Sequence, residues 1–521
     1  MSFLSQLLEH YHLTIKDLGM RKLPGSFDKF KTPFENPSFL NVVKRIQSAI
    51  DNHQKTVIYG DYDVDGITST AIMKRVLDEL GLCPGYFIPS RYNEGYGLNP
   101  NRVKEFKDKG YQLIIAVDNG VAAFEAISLA KSLEMDVVII DHHELSDKLP
   151  DTEYLFHQTE SGFLDYNCSA ASLCFFVSSF LRKRFDEYDS VLAGLAVFSD
   201  VMPLVGNNLN MAKLLYQYLS TNRYPNLLSF LPSNDFSYDD ISFSLIPALN
   251  APGRVSQDVL ATNHVCAFLL ETKKTERMAR LYNEINNFNN QKKSIVQSMT
   301  FNSEFDSSHS YITICDSYSG LTGLFANRLL KDKNKPVCVF GISDTDRDIL
   351  VGSIRVPDGY NAIEIITKFK NLIIQSGGHP KACGLSILKK DYFKVATLFA
   401  MECEKHSLCV EEKHDEIPIV IEDVVKENFD ILDSFLPFGE GFEKPRFVLT
   451  VSRDEIVPSK NGNAVFVKAT SNHGRVCAFV PYANLINTTA ESFDFYGYFK
   501  KGIFNDKVQY DFIADRILPN E

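Results

Sequence analysis

From Lys55 to about residue 145, short apolar runs alternate with stretches whose apolar positions recur every three or four residues. TVIY (56–59), LIIAV (113–117) and VVII (137–140) contain almost no polar positions, which predicts strands buried on both faces. TSTAIMKRVLDEL, the stretch from about Asn101 to Lys109 and the stretch from Ala122 to Leu133 have helical spacing. The result is a parallel βαβ series covered on both sides, a lobe assigned to residues 51–255. Residues 1–50 read as a small helical preface in which SQLLEHY is helix-like, Leu23-Pro24-Gly25-Ser26 breaks the pattern and Phe39 to Ile50 is amphipathic.

The pattern changes twice further on. Residues 258–299 are polar and free of proline, and Leu260, Val265, Phe268, Leu269, Met278, Leu281 and Ile285 are spaced as the apolar stripe of one or two extended helices. They predict a helical connector over 256–305. YITICD, PVCVFGI, DILVGSI and ACGLSIL are short strands alternating with helices, a second, smaller α/β lobe over 306–408. After the charged stretch Glu411 to Glu427 come five strand-like segments, RFVLTVSRDEIV, NAVFVKAT, RVCAFVPY, FDFYGYFKKGIF and KVQYDFIADRI. With turn signals between them they predict a small Greek-key β-barrel of the OB type over 409–521. The fold class is therefore α/β: two lobes joined by a long helix, followed by a barrel.

Composition narrows the class. A chain of 521 residues has room for about three or four domains. It has no apolar run of membrane-spanning length, and its first residues lack the basic start and apolar block of a secretory signal, so a soluble cytoplasmic protein without a membrane partner is expected. The ten cysteines include no CxxC pair, and Cys174, Cys266 and Cys338 lie in apolar runs, which fits buried reduced thiols. A net charge of −12 excludes indiscriminate binding of polyanions but leaves room for a basic groove, or for nucleic acid reached through metal ions.

The chemistry lies at the strand ends. The first strand runs into Asp61, Asp63 and Asp65, the next into Asp118-Asn119-Gly120 and the third into Asp141-His142-His143, while VLAGLAVFSDVMPL adds Asp200 in apolar surroundings. Ligands of open parallel sheets collect beyond the carboxyl ends of the strands, so these groups converge on one crevice. Like charges so close together are stabilised by a divalent cation with hard oxygen ligands, and four or five carboxylates with one or two imidazoles suit Mn²⁺ or Mg²⁺ better than structural zinc. The alternative for the acidic triplet is a solvated turn that caps the next helix.

Taken in order, GDYDVDG, VDNG, DHH and the single Asp200 resemble the four signature motifs of the DHH phosphoesterase superfamily. PSRYNEGYGLN, LNAPGR (249–254), GSIR (352–355), SGGHPKACG (376–384) and LPFGEGFEKPRF (436–447) resemble blocks of the RecJ family of bacterial single-strand-specific DNA exonucleases, so that the likeness runs from about Asn36 to the C-terminus. It implies a DHH catalytic lobe, a DHHA1-like substrate-binding lobe and an OB-fold nucleic-acid-binding domain. It also implies a two-metal site in which Asp118 bridges both ions. Asp65, His142 and Asp200 complete one ion's shell, and Asp63, with Asp61 as the further candidate, belongs to the other's. The histidine that some superfamily members place earlier falls at Tyr59 here. His143 would face the scissile phosphate, with Asp118 and Asp65 as its catalytic companions; the alternative for His143 is a residue that only orients its neighbours.

For the substrate side, the resemblance nominates Arg254, Ser353, Arg355, Gly377, Gly378 and His379. The paired glycines let backbone N–H groups approach an anion, and the alternative for either arginine is an ion pair at the surface or between lobes. In the barrel, Phe466, Lys468, Arg475, Lys500 and Lys501 interleave aromatics with cations, as a groove that stacks bases requires, although alternate aromatics in a small barrel also serve as core. The implied activity is 5′-to-3′ hydrolysis of single-stranded DNA to mononucleotides with two divalent cations, Mn²⁺ or Mg²⁺, in DNA repair and recombination. A helicase or single-strand-binding protein is the implied partner. The alternative is a phosphodiesterase acting on short oligonucleotides or cyclic dinucleotides. The chain departs from the family at LFHQTES, where an Asn-Pro pair is usual, and at Asp316-Ser317-Tyr318-Ser319, where Trp-His is usual.

Overall fold

The computed structural model describes residues 2–520 apart from 93–96, 234, 302, 304, 344–345, 408–414, 469–473, 481, 483–484, 486–488 and 505–506, and apart from the side chains of His379, Ser407, Ile503, Phe504 and Lys507. Two compact units divide it, residues 25–412 and residues 1–24 together with 413–521.

In the larger unit, β1 (Thr56–Tyr59), β2 (Gly85–Phe87), β3 (Leu113–Val117), β4 (Asp136–Ile140) and β5 (Leu155–Phe156) form a parallel sheet in the order β2-β1-β3-β4-β5. Along β3, Leu113, Ile115 and Val117 pack into one apolar cluster and Ile114 into the other, which is why the run has no polar alternation. From β1 the chain moves to one side to build β2 and then returns to the other side to build β3. The strand order therefore reverses beside β1, and the crevice at that switch point opens at the carboxyl ends of β1 and β3.

The second lobe of this unit contains β6 (Phe305–Asp306), β7 (Tyr311–Cys315), β8 (Val337–Ile342), β9 (Ile349–Arg355), β10 (Ile373–His379) and β11 (Ala382–Leu388), in the order β10-β11-β9-β8-β7-β6. Helices Val259–Leu270 and Glu276–Ser298 join the lobes. Val265, Phe268, Leu269, Leu281 and Ile285 are buried as their spacing predicts, whereas Leu260, one residue into the first helix, is 56% exposed.

The smaller unit contains β12 (Ile417–Ile419), β13 (Phe447–Ser452), β14 (Ile456–Pro458), β15 (Val465–Val467), β16 (Arg475–Ala478), β17 (Ser492–Phe504) and β18 (Lys507–Asn520). RFVLTVSRDEIV is one strand bent by a 3-10 turn at Arg453–Glu455, so that its first half, β13, pairs with β17 and its second, β14, pairs with β15. β15 pairs with β16, and β18 lies parallel to β16 and antiparallel to β17. The ladder thus returns to the strand it began on, in the five-stranded Greek-key order of an OB-type fold. β12 adds a parallel strand outside β13.

Residues 1–50 do not fold as one body. Helices Phe3–His10 and Ile15–Lys22 belong to the smaller unit, and helix Pro37–Asp51 packs into the core of the larger one. The division falls at Pro24-Gly25, where a side chain on Gly25 would lie 2.8 Å from the Leu214 backbone nitrogen. Phe3 stacks on Phe447 at 5.6 Å and meets Phe499 at 5.5 Å. Phe3→Ala is expected to destabilise the barrel unit by about 3 kcal/mol, the loss usual for truncating a buried phenylalanine. Denaturant unfolding followed on that unit checks the figure.

Candidate metal centre

Asp61 and Asp63 lie in the tight turn between β1 and the helix Val64–Glu79, and Asp65 is in the first turn of that helix. Asp63 is the N-cap and accepts the Gly66 N–H at 3.2 Å. Gly66 is required by space, because a Cβ there would stand 2.5 Å from the Asp61 backbone nitrogen and oxygen. Asp65 accepts the backbone N–H groups of Ala170 and Ala171, both at 2.7 Å, at the amino end of the helix Ala170–Arg182, where the helix dipole favours a carboxylate. Asp118 follows β3 in a left-handed conformation, φ +60°. Asp200 is the C-cap of helix Glu187–Ser199. The next residue, Val201, has φ +53°, and Met202 N–H returns to the Val197 carbonyl at 2.9 Å, closing a Schellman-type end with a β-branched residue where glycine is usual.

These segments meet. His142 Nε2 lies 3.2 Å from Asp118 Oδ1, 3.4 Å from Asp200 Oδ2 and 3.5 Å from Asp65 Oδ2, yet forms no hydrogen bond with any of them. One ligand atom from each of Asp65, Asp118, His142 and Asp200 falls within 4.8 Å of the others, and so does one from each of Asp61, Asp63 and Asp118. A third grouping joins Asp118, His142 and His143. Asp118 is common to all three.

Crowding and burial dominate the electrostatics. Burial, then the neighbouring carboxylates, raise Asp61, Asp63 and Asp118 above the ordinary range, and burial with Asp200 pushes Asp65 up to about 7. Burial alone would lower His142, but Asp200 and Asp65 carry it up to about 10. Asp61 Oδ1 and His142 Nε2 are buried without hydrogen bonds. Buried acceptors of this kind, hard oxygens with one imidazole, fit a pair of divalent cations with a shared carboxylate.

Asp141 plays a different part. It accepts the backbone N–H groups of Val121, His142 and His143, and His143 Nδ1 lies 2.8 Å from its Oδ1. Against its burial, the His143 bond brings Asp141 down to about 2. The same contact, again against burial, raises His143 above its usual range. Tyr59 supplies no ligand: it is buried in the apolar cluster with Val57 and Phe106, and its hydroxyl donates to the Gly97 carbonyl at 3.0 Å.

On the substrate side, Arg254 donates to the Gly320 carbonyl of the second lobe at 3.3 Å. Burial, with Arg91 and Arg355 nearby and Asp63 opposing them, takes Arg254 down to about 10. Arg355 donates to Asn327 at 2.9 Å, and Ser353 lies 3.0 Å from the Thr322 hydroxyl. Among the described residues neither Arg254 nor Arg355 forms an ion pair. Gly377 and Gly378 lie on β10, opposite Gly384 and Cys383 of β11, which in turn pairs with β9 at Ser353 and Ile354. The His379 side chain lies outside the described residues.

Sequence reasoning missed Arg91, whose guanidinium stacks 4.4 Å above the Tyr62 ring with its Nε buried and without a hydrogen bond. Its one signal is its place in PSRYNEGYGLN. It also missed Lys292, buried on the connector helix with its ammonium against the Pro247 carbonyl. Burial, then Arg254, lowers Lys292 to about 7, so between pH 7 and its ordinary 10.5 the unfolded chain binds more protons and stability rises with pH. Lys292→Met is expected to raise the melting temperature near neutral pH and to flatten that rise, which melts across the range would show.

In the barrel the expected row of cations is largely engaged. Arg475 makes a two-pronged pair with Asp511 at 3.0 and 2.8 Å, and Lys500 faces the same Asp511 from β17. Lys501 pairs with Asp433, and Lys468 donates to the Asp454 carbonyl. Phe466 is half-buried and Phe479 is 73% exposed.

A model of the DHH family N-terminal domain matches residues 55–198, and a model of the DHHA1 domain matches residues 318–403. The chain is 29% identical over 459 residues to the single-stranded-DNA-specific exonuclease RecJ of Bacillus subtilis, covering 85% of this chain. It is 27% identical over 460 residues to the Escherichia coli RecJ, covering 78% of this chain and 76% of that protein. The chain carries the DHH and DHHA1 domains and is similar in sequence to RecJ exonucleases. It spans 58% of the length of the Bacillus relative. The fold is similar to that in the crystal structure of RecJ from Thermus thermophilus with Mn²⁺, at a TM-score of 0.77, 19% identity and coverage of 93% of this chain and 72% of that one. Among the described residues, no helix is long and apolar enough to cross a membrane.

Proposed function

We propose that the chain is a metal-dependent exonuclease that hydrolyses single-stranded DNA from its 5′ end to mononucleotides. The observation that carries the proposal is the membership of Asp118 in both ligand groups, which lets one carboxylate span two cations. Asp65, His142 and Asp200 would hold one ion, and Asp61 and Asp63 the other. Bound Mn²⁺ or Mg²⁺ supplies Lewis acidity, activating water for attack and neutralising charge on the phosphoryl oxygens.

The protein's own groups account for the rest. With Nδ1 tied to Asp141, His143 would turn Nε2 toward the substrate, and the upward shift of its pKa favours the protonated form that can donate to a phosphate oxygen or to the leaving group. Arg254, Arg355 and Arg91, with Ser353, Gly377, Gly378 and His379, would grip the phosphates from the side opposite the carboxylates. Phe466, Lys468, Arg475, Lys500 and Lys501 would bind the incoming strand, the paired cations exchanging their carboxylate partners for phosphate. A role in DNA repair and recombination, with a helicase or single-strand-binding protein delivering the strand, belongs to the same reading and to a cytoplasmic protein.

Degradation of 5′-labelled and 3′-labelled single strands and duplexes, with and without Mn²⁺, tests the proposal. Release of labelled mononucleotide from the 5′ label of single strands, dependent on the metal, is expected. Preference for a dinucleotide over a long strand, or release from the 3′ label first, would overturn it.

A further inference from the structure

Two side chains outside the ligand set hold the backbone of the DHH turn. β5 lies beside β4, with Asp141 N–H donating to the Phe156 carbonyl at 3.3 Å, so the residues that follow β5 run alongside those that follow β4. His157 and Gln158 are the first of them, and both are buried. His157 Nε2 lies 2.9 Å from the His143 carbonyl, and Gln158 Nε2 donates to the His142 carbonyl at 3.2 Å. The tautomer of His157 follows from its other nitrogen. Nδ1 accepts the Glu160 backbone N–H at 3.4 Å and lies 3.1 Å from the Thr159 hydroxyl, so the ring proton is on Nε2 and is donated to His143. Both residues lie in the segment LFHQTES.

The two bonds hold successive peptide planes: Gln158 holds the plane that leaves His142 and joins it to His143, and His157 holds the plane that leaves His143, so His143 keeps one fixed plane when the Gln158 bond is lost. A buried carbonyl left without a donor turns to find one, and its peptide plane carries the Cα–Cβ direction of the adjacent side chain with it. We propose that His157 and Gln158 are positioning residues for the DHH pair: Gln158 aims the His142 imidazole at the metal, and His157 aims the His143 imidazole at the scissile phosphate. The assignment deepens the nuclease reading and rests on it. It separates two quantities that a merely structural role would move together, metal affinity and turnover.

The test compares Gln158→Met and His157→Phe, each close to its parent in shape and lacking the donor. Mn²⁺ is titrated calorimetrically into the metal-stripped chain, and cleavage of 5′-labelled single-stranded DNA is followed at saturating Mn²⁺. Gln158→Met should bind Mn²⁺ about 10-fold more weakly and recover near-normal kcat when the metal is raised. His157→Phe should bind Mn²⁺ within about 2-fold of wild type and lose about 10-fold or more in kcat with KM unchanged. His157→Asn, which keeps an N–H donor, should regain part of that kcat, and it carries this arm if the phenylalanine variant does not fold. Equal losses of affinity and turnover in both positions, or no loss in either, would overturn the assignment. A wild-type chain that binds Mn²⁺ but leaves the DNA intact would refute the nuclease reading instead, and the calorimetric comparison of Gln158→Met with wild type would still decide the role of Gln158.

Discussion

Asp118→Ala is expected to lose about 10³-fold or more of Mn²⁺-dependent cleavage, corresponding to the several kcal/mol of transition-state charge stabilisation that bound cations supply. The size of the effect follows from its position. Removing Asp63 or Asp200 weakens one ligand group, whereas removing Asp118 takes an oxygen from both. The fold should survive and become more stable in chelator, because Asp118 is a buried carboxylate among like charges whose desolvation is unfavourable without a cation. Turnover assays with thermal melts of the same preparation check both halves. Near-normal turnover, or a melting temperature in chelator well below wild type, would contradict the account.

The second large effect is on stability. In the metal-free protein, Asp65 titrates at about 7 rather than 3.8, and burial and neighbouring acids also raise Asp61, Asp63 and Asp118. A carboxyl whose folded pKa is raised binds more protons folded than unfolded, so its contribution is complete below about pH 4 and is lost as pH rises through about 7. His142, raised to about 10, acts in the same direction from its ordinary 6.5 upward. The chelated protein should therefore be clearly less stable near pH 8 than near pH 5. Mn²⁺ reverses the trend, since its ligands bind it deprotonated, and at about 100 times its dissociation constant it adds about 2.7 kcal/mol. Melts with and without chelator at the two pH values test this, and a pH-independent difference would contradict it.

The acids at the strand ends were legible because their logic is local. An apolar run too continuous to be half-exposed identifies a parallel strand, and in a parallel sheet whatever follows the strands gathers at one edge. Asp61, Asp63, Asp65, Asp118 and His142 meet for that reason, whereas Asp200 reaches them from the C-terminal end of a helix. The barrel was legible through its alternating segments, but not the bend at Arg453–Glu455 that lets one strand serve both ends of the ladder. The division of the first fifty residues was not legible either, since Phe3 finds its partners more than four hundred residues away. Arg91, Lys292, His157 and Gln158 escaped for a common reason. Each has its role from a backbone carbonyl, a ring or a charge brought beside it by the fold, and no spacing in the chain records that. The barrel cations show the converse: Arg475 and Lys501 form a plausible pattern in sequence, and the fold sets carboxylates against them.

The most direct test of the paired-cation pocket is an anomalous difference map at the manganese edge from crystals grown with Mn²⁺. The account predicts two peaks about 3.5–4 Å apart, with the Asp118 carboxylate between them, His142 and Asp200 on one and Asp63 on the other. A single peak, or peaks that do not touch Asp118, would contradict it.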